Sequence, residues 1–167
     1  LEAIRFNLDE TFNNVATIVS QRAQEKGLEI SFHIDPAVPL GLIGDPLRLS
    51  QILVNLAGNA VKFTQLGKVA IVCEPVSQSD GEAALRFSVR DTGIGLSQKQ
   101  LAQLFQAFNR LGQEAGTEEG TGIGLVVAKR LIELMGGAIG VESTVGVGSV
   151  FWFELDSVAS PRLSVEA

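Results

Sequence analysis

Asp45-Pro-Leu-Arg-Leu-Ser-Gln-Ile-Leu-Val-Asn-Leu-Ala-Gly-Asn-Ala-Val-Lys-Phe63 reads as one helix with two faces, and the rest of the chain is arranged around it. Asp45 is a good N-cap, and Pro46 suits the first helical position. Leu49, Ile52, Leu53, Leu56, Ala60 and Phe63 fall on one stripe, which packs. At about 100° per residue, Asn55, Asn59 and Lys62 gather on a different stripe. The same helix therefore builds a core and presents polar groups.

Before this helix, Asp9 is the expected N-cap of another, whose apolar positions Leu8, Phe12, Val15, Val19 and Ala23 recur at helical spacing before Lys26 and Gly27 stop it. Leu28 to Ile34 alternates apolar and polar residues, as a half-buried strand does. The Pro- and Gly-bearing segment from Pro36 to Gly44 reads as a loop. After the central helix, Lys68 to Glu74 and Ala83 to Arg90 read as two antiparallel strands joined by a turn-rich link. Ser97-Gln-Lys-Gln100 matches a capping box and opens a helix carrying Leu101, Leu104, Phe105 and Phe108. Asn109 to Thr121 is polar and aperiodic, a candidate lid. A helix from about Ile123 to Met135 stops at Gly136-Gly137, and Ala138 to Glu142 with Gly148 to Leu155 forms a last hairpin pair. The pattern predicts an α+β fold: a two-layer α/β sandwich, its mixed, mostly antiparallel sheet covered on one face by about three helices. One domain is expected over residues 1–155, with 156–167 as a tail or linker.

The composition narrows the function. Thirteen Lys and Arg against 19 Asp and Glu give a net charge of −6, so nucleic acid is not an expected partner. The lone Cys73 has no intramolecular partner for a disulfide, and a structural role is expected of it and of His33, which has no second histidine. No apolar run is long enough to span a membrane, and no signal peptide is recognisable. The chain begins at Leu1 and its one methionine is Met135, which reads as a piece of something larger. A monomer without direct membrane contact is expected for it.

Two glycine clusters, Asp91-Thr-Gly-Ile-Gly-Leu96 and Gly120-Thr-Gly-Ile-Gly-Leu125, point to a nucleotide site. Neither a phosphate loop ending in Gly-Lys-Ser/Thr nor a dinucleotide-binding Gly-x-Gly-x-x-Gly is present. Asp91, at a strand end, either caps a turn or accepts the exocyclic amino hydrogens of adenine. Asn55 and Asn59, one helical turn apart, are either a solvated stripe or two amide oxygens for a magnesium ion that also binds phosphate. Gly120 to Gly124, before a helix, is either an ordinary connection or a set of free amides suited to phosphate. Phe105 and Phe108 are either core residues, the first reading of such a stripe, or anchors of the lid.

Taken in order, these segments resemble the catalytic and ATP-binding domain of sensor histidine kinases. That domain belongs to the GHKL superfamily, with the Bergerat fold, which includes DNA gyrase, MutL-type repair proteins and the ninety-kilodalton heat-shock chaperone. Gln51 to Thr64 resembles the N box, Asp91 to Leu96 the first glycine box, Leu104 to Arg110 the F box, and Gly120 to Leu125 the second glycine box. The resemblance implies that Asn55 and Asn59 hold Mg2+, that Lys62 and Arg110 contact phosphates, and that Asp91 reads adenine. Gly93, Gly95, Gly120, Thr121, Gly122, Gly124 and Leu125, with Phe105 and Phe108, would shape the ATP pocket and lid.

The hydrolytic branches of the superfamily place a water-activating glutamate where Asn55 stands, so the resemblance implies phosphoryl transfer to a protein side chain. Gln106 and Ala107 depart from the Glu and Pro frequent in the F box, and Ser149 stands where threonine is common. The phosphoacceptor histidine belongs to a separate dimerisation and phosphotransfer domain, and nothing here matches its motif. The implied partners are that domain and a response-regulator receiver domain, in the cytoplasm, as part of a kinase that is itself soluble or membrane-anchored. A stand-alone GHKL serine kinase of the anti-sigma-factor type, a GHKL ATPase module, or a nucleotide-regulated contact module are the alternatives.

Overall fold

The computed structural model describes residues 4–39, 41–64, 66–77, 83–93, 95, 99 and 121–156. Its first element is one the sequence pattern did not announce, a short strand β1 (Ile4–Asn7) that ends where helix α1 (Leu8–Lys26) begins. Asn7, not Asp9, is the N-cap: its backbone is extended, and its Oδ1 accepts the Glu10 N–H at 3.1 Å. The helix starts that early because Leu8 is fully buried. Asp9 and Glu10 then occupy the first turn, where carboxylates complement the helix dipole. α1 buries Phe12, Val15, Val19 and Ala23 and ends at Gly27, whose φ of 74° allows its N–H to close on Ala23 and Gln24 carbonyls.

Strand β2 (Glu29–Ile34) alternates exposed and half-buried residues as expected. The segment read as a loop contains a second short strand, β3 (Gly41–Gly44), which pairs antiparallel with β1. Helix α2 (Pro46–Phe63) follows, with the Asp45 carboxylate accepting the Arg48 N–H at 3.1 Å. Leu49, Ile52, Leu53, Leu56 and Ala60 are buried, together with Ala57 and Val61.

Strands β4 (Lys68–Ser77), β5 (Ala83–Asp91), β6 (Ala138–Thr144) and β7 (Gly148–Asp156) complete a five-stranded sheet of order β2-β4-β5-β7-β6. Each runs past its last strongly apolar residue because the ladder continues in register, as far as Ser77 opposite Ala83. Only β2 and β4 are parallel, joined by a crossover through α2; the other neighbours are antiparallel. Helix α3 (Thr121–Leu134) starts earlier than the pattern suggested, so Thr121, Gly122 and Gly124 form its first turn instead of a connection before it. Burial of Ala128, Leu131 and Ile132 anchors the helix strongly enough to carry two N-terminal glycines, at about 1 kcal/mol each relative to alanine.

The three helices among the described residues lie side by side, α2 packing on α1 at one side and on α3 at the other, and α2 also sits on β4 and β5. Between the layers, Phe87 stacks on Phe153 at 5.0 Å and tilts against Phe12, which meets Phe32 edge to face. The opposite sheet face mixes polar and apolar side chains: Arg86 bonds its cross-strand neighbour Glu154 and lies 4.6 Å over the Trp152 ring. The architecture is the expected α+β sandwich. The expected helix over Ser97 to Phe108, the lid from Asn109 and the tail after Asp156 lie outside the described residues.

Candidate functional site

Asn55 and Asn59 are half-buried on the same side of α2 and line one cleft of about 460 Å³ between α2 and α1. Lys62, one turn further on, shares it. Across the cleft stand Arg22, Glu25 and Lys26 of α1. Lys26, read from sequence as a stop signal, does more: its Nζ donates to the carbonyls of Val61 at 2.7 Å and Lys62 at 2.9 Å. A lysine on the last carbonyls of a helix satisfies acceptors that the helix cannot, and it opposes the negative end of the dipole. The last turn of α2, with Lys62, is thereby fastened to α1.

The Asn59 side chain carries a buried Nδ2 with no hydrogen-bond partner. Buried amide donors are nearly always paired, and an unpaired one is destabilising by about 1–3 kcal/mol. An orphan donor in a cleft flanked by cations fits an anionic, oxygen-rich ligand. Among the described residues, no group of three or more His, Cys, Asp or Glu comes together. A hard cation in this cleft would depend on the two amide oxygens together with phosphate and water oxygens, a donor set that suits Mg2+. The residues present therefore fit magnesium carried by a nucleotide.

Asp91 ends β5 on the sheet face that the helices cover, in line with the buried Val89 and Phe87. Its Oδ1 accepts the Gly93 N–H at 2.9 Å, so the turn-capping reading holds as a structural fact. Burial pushes the Asp91 carboxyl above the ordinary value, and backbone N–H donors from Gly93 and Ser149 pull against that. A carboxylate has about four lone-pair sites, so capping leaves capacity for an amino group.

Sequence reasoning missed Ser149 as a partner of Asp91. It is buried, and its hydroxyl lies 2.7 Å from that of Ser143 across the β6–β7 hairpin. The alternation within β7 was the available signal, since it places Ser149 opposite Asp91 once the strands pair. Gly95 is buried with φ of 76°, and a Cβ there would collide with the Thr144 carbonyl. Its role is close approach of the first glycine cluster to the β6–β7 turn.

Thr121 and Gly122 supply N–H groups at the start of α3 that have no intrahelical acceptor, and Gly124 completes its first turn. The side chains of Thr121 and Leu125 are not among those described. Phe105, Phe108, Arg110 and Gly120 lie outside the described residues. Cys73 is fully buried and free, and His33 sits on the exposed face of β2.

Comparison with known proteins gives one picture. Residues 44–159 match the model of the histidine kinase-, DNA gyrase B- and HSP90-like ATPase family. The chain is 46% identical over 160 residues to the sensor histidine kinase GacS of Pseudomonas protegens, covering 93% of this chain and 17% of that protein. It is 40% identical over 167 residues to the signal transduction histidine-protein kinase BarA of Escherichia coli, covering 99% and 18%. It thus spans less than a fifth of the length of these relatives.

Among solved structures, full-length ShkA in complex with AMPPNP superimposes with a TM-score of 0.78 at 38% identity, over 96% of this chain and 32% of that one. The nucleotide-free catalytic domain of histidine kinase ThkA gives 0.75 at 27% identity, over 94% and 97%. The chain belongs to the histidine kinase-, DNA gyrase B- and HSP90-like ATPase family.

Proposed function

We propose that this chain binds Mg-ATP and passes the γ-phosphoryl group to a histidine on a separate dimerisation domain, as the catalytic domain of a two-component sensor histidine kinase. The observation that carries the reading is the Asn55–Asn59 pair in one cleft, with the buried Asn59 Nδ2 lacking an acceptor. The names of the full-length relatives and the AMPPNP complex of ShkA support it. The catalytic unit so proposed covers residues 1–155, with 156–167 as tail or linker.

In this reading Asn55 and Asn59 hold the metal, Lys62 and Arg110 meet phosphate oxygens, and Asp91 accepts the adenine amino hydrogens. Gly93 and Gly95 leave room at the adenine end. Gly120, Thr121, Gly122, Gly124 and Leu125 turn amides toward the phosphates, and Phe105 with Phe108 supports the lid. Bound magnesium would offset charge on the phosphate oxygens during transfer. Asn55 is an amide and takes no proton from water, which favours transfer over hydrolysis. The proposed partners are the kinase's own phosphotransfer helices and a receiver domain. Among the described residues, no helix is long and apolar enough to cross a membrane.

Isothermal titration with ATP, with and without Mg2+, tests the reading. Binding is expected to depend on Mg2+ and to weaken at least about tenfold in Asn59→Ala, the scale of losing one charge-assisted contact. A phosphohistidine assay with the cognate helical domain then checks the acceptor. Binding indifferent to Mg2+ and to Asn59→Ala would remove the metal role, and rapid hydrolysis by the chain alone would remove the transfer role.

A further inference from the structure

Arg22 belongs to none of the four motif segments, yet α1 carries it into the same cleft. Arg22, Glu25 and Lys26 are three and four residues apart on one face of α1, opposite Asn55, Gly58, Asn59 and Lys62 on α2. At Gly58 the α2 surface has no side chain, and a Cβ built there would lie 2.9 Å from Arg22 Nη1. The guanidinium therefore rests against bare backbone between the two asparagines. Lys26 is engaged by the Val61 and Lys62 carbonyls. The Arg22 side chain makes no hydrogen bond or ion pair with any other described residue, Glu25 included. A planar fork of N–H donors on the α1 wall and the orphan Asn59 Nδ2 on the α2 wall thus belong to one cleft, and neither has an acceptor among the described residues.

We propose that Arg22 contacts the terminal phosphate of the bound nucleotide and makes the site prefer a triphosphate to a diphosphate. The inference rests on the nucleotide reading given above. It follows from the order of the helices: α2 lies between α3, whose first-turn amides would serve the inner phosphates, and α1. A phosphate chain that crosses α2 at its asparagines reaches α1 only with its last group. Guanidinium geometry matches phosphate oxygens, and its charge is suited to the extra negative charge that ATP carries over ADP.

Titration of the wild type, Arg22→Gln, Arg22→Lys and Gly58→Ala with ATP and with ADP, all in Mg2+, tests this. In Arg22→Gln the Kd for ATP is expected to rise about fivefold, the upper scale for a partly exposed charge contact, while the Kd for ADP stays put. Arg22→Lys should recover part of the preference. Gly58→Ala adds a methyl where the guanidinium lies and improves helix propensity, so it should lower the ATP preference while raising Tm. That combination separates displacement of Arg22 from damage to the fold. If the ATP-to-ADP ratio in Arg22→Gln equals that of the wild type, or both nucleotides weaken alike, the Arg22 proposal falls and the nucleotide reading stands. If the wild type binds neither nucleotide, the nucleotide reading falls and takes this one with it.

Discussion

Asp91 combines two demands that pull its chemistry in opposite directions. Burial favours the neutral acid and raises its pKa, whereas the Gly93 and Ser149 N–H groups favour the carboxylate. Because the folded-state pKa lies above the ordinary value of 3.8, the folded chain holds more protons than the unfolded one in the window just above that value. Stability contributed by this group is thus fully present below 3.8 and declines as pH rises through the raised pKa. Asp91→Asn cannot ionise, so urea midpoints across the acid range should lose this part of their decline. The same substitution replaces an acceptor-only group and should weaken ATP binding by an amount on the order of 1–3 kcal/mol, read by calorimetry. Unchanged affinity with a flattened pH profile would leave Asp91 as a turn cap alone. The turn cap at Asp91 was legible because this residue precedes two glycines at a strand end. Ser149 was not, since its place beside Asp91 depends on a pairing between residues far apart in sequence.

At the scale of elements, the legible parts were those whose signals are local. Asp45-Pro46 announced the start of α2, and Gly27 and Gly136 marked helix ends that the structure places at positive φ. Asp45→Ala should therefore cost about 1–2 kcal/mol by removing the acceptor for the Arg48 N–H, seen as a Tm lower by about 2–4 °C per kcal/mol. A change within measurement error would mean that Pro46 alone sets the helix start. β1 and β3 escaped notice for the opposite reason. Each has four residues, too few for an alternating pattern, and among the described residues they pair only with each other, across α1 and β2. The start of α1 shifted with them, because β1 delivers the chain at Asn7 and commits Leu8 to the core. The α1 wall of the cleft was equally hidden: the roles of Arg22 and Lys26 come from how α1 packs on α2, which no spacing within α1 encodes.

Over the whole molecule, Cys73 connects the core to the proposed ligand. It sits fully buried in β4, opposite Phe87, whose ring joins the sheet to Phe153 and to Phe12 of α1. Burial first, then the nearby carboxylates of Glu74 and Asp35, push its thiol from 9.0 up to about 12. The native thiol is consequently neutral at physiological pH and unreactive, and alkylation requires opening of the layer between helices and sheet. Folding should lose stability as pH rises from about 9 toward 12, because the unfolded chain ionises this thiol first. At neutral pH, labelling of Cys73 with iodoacetamide should track the global unfolding equilibrium. A ligand that binds only the folded state stabilises it by RT ln(1 + [L]/Kd), about 2.7 kcal/mol at a hundredfold excess over Kd. Mg-ATP at that excess should accordingly slow Cys73 labelling about a hundredfold in the wild type, and much less in Asn59→Ala. Labelling that is fast without denaturant would show that the core opens locally at β4. Labelling that ignores Mg-ATP at every concentration would show that the cleft on α2 holds no such ligand.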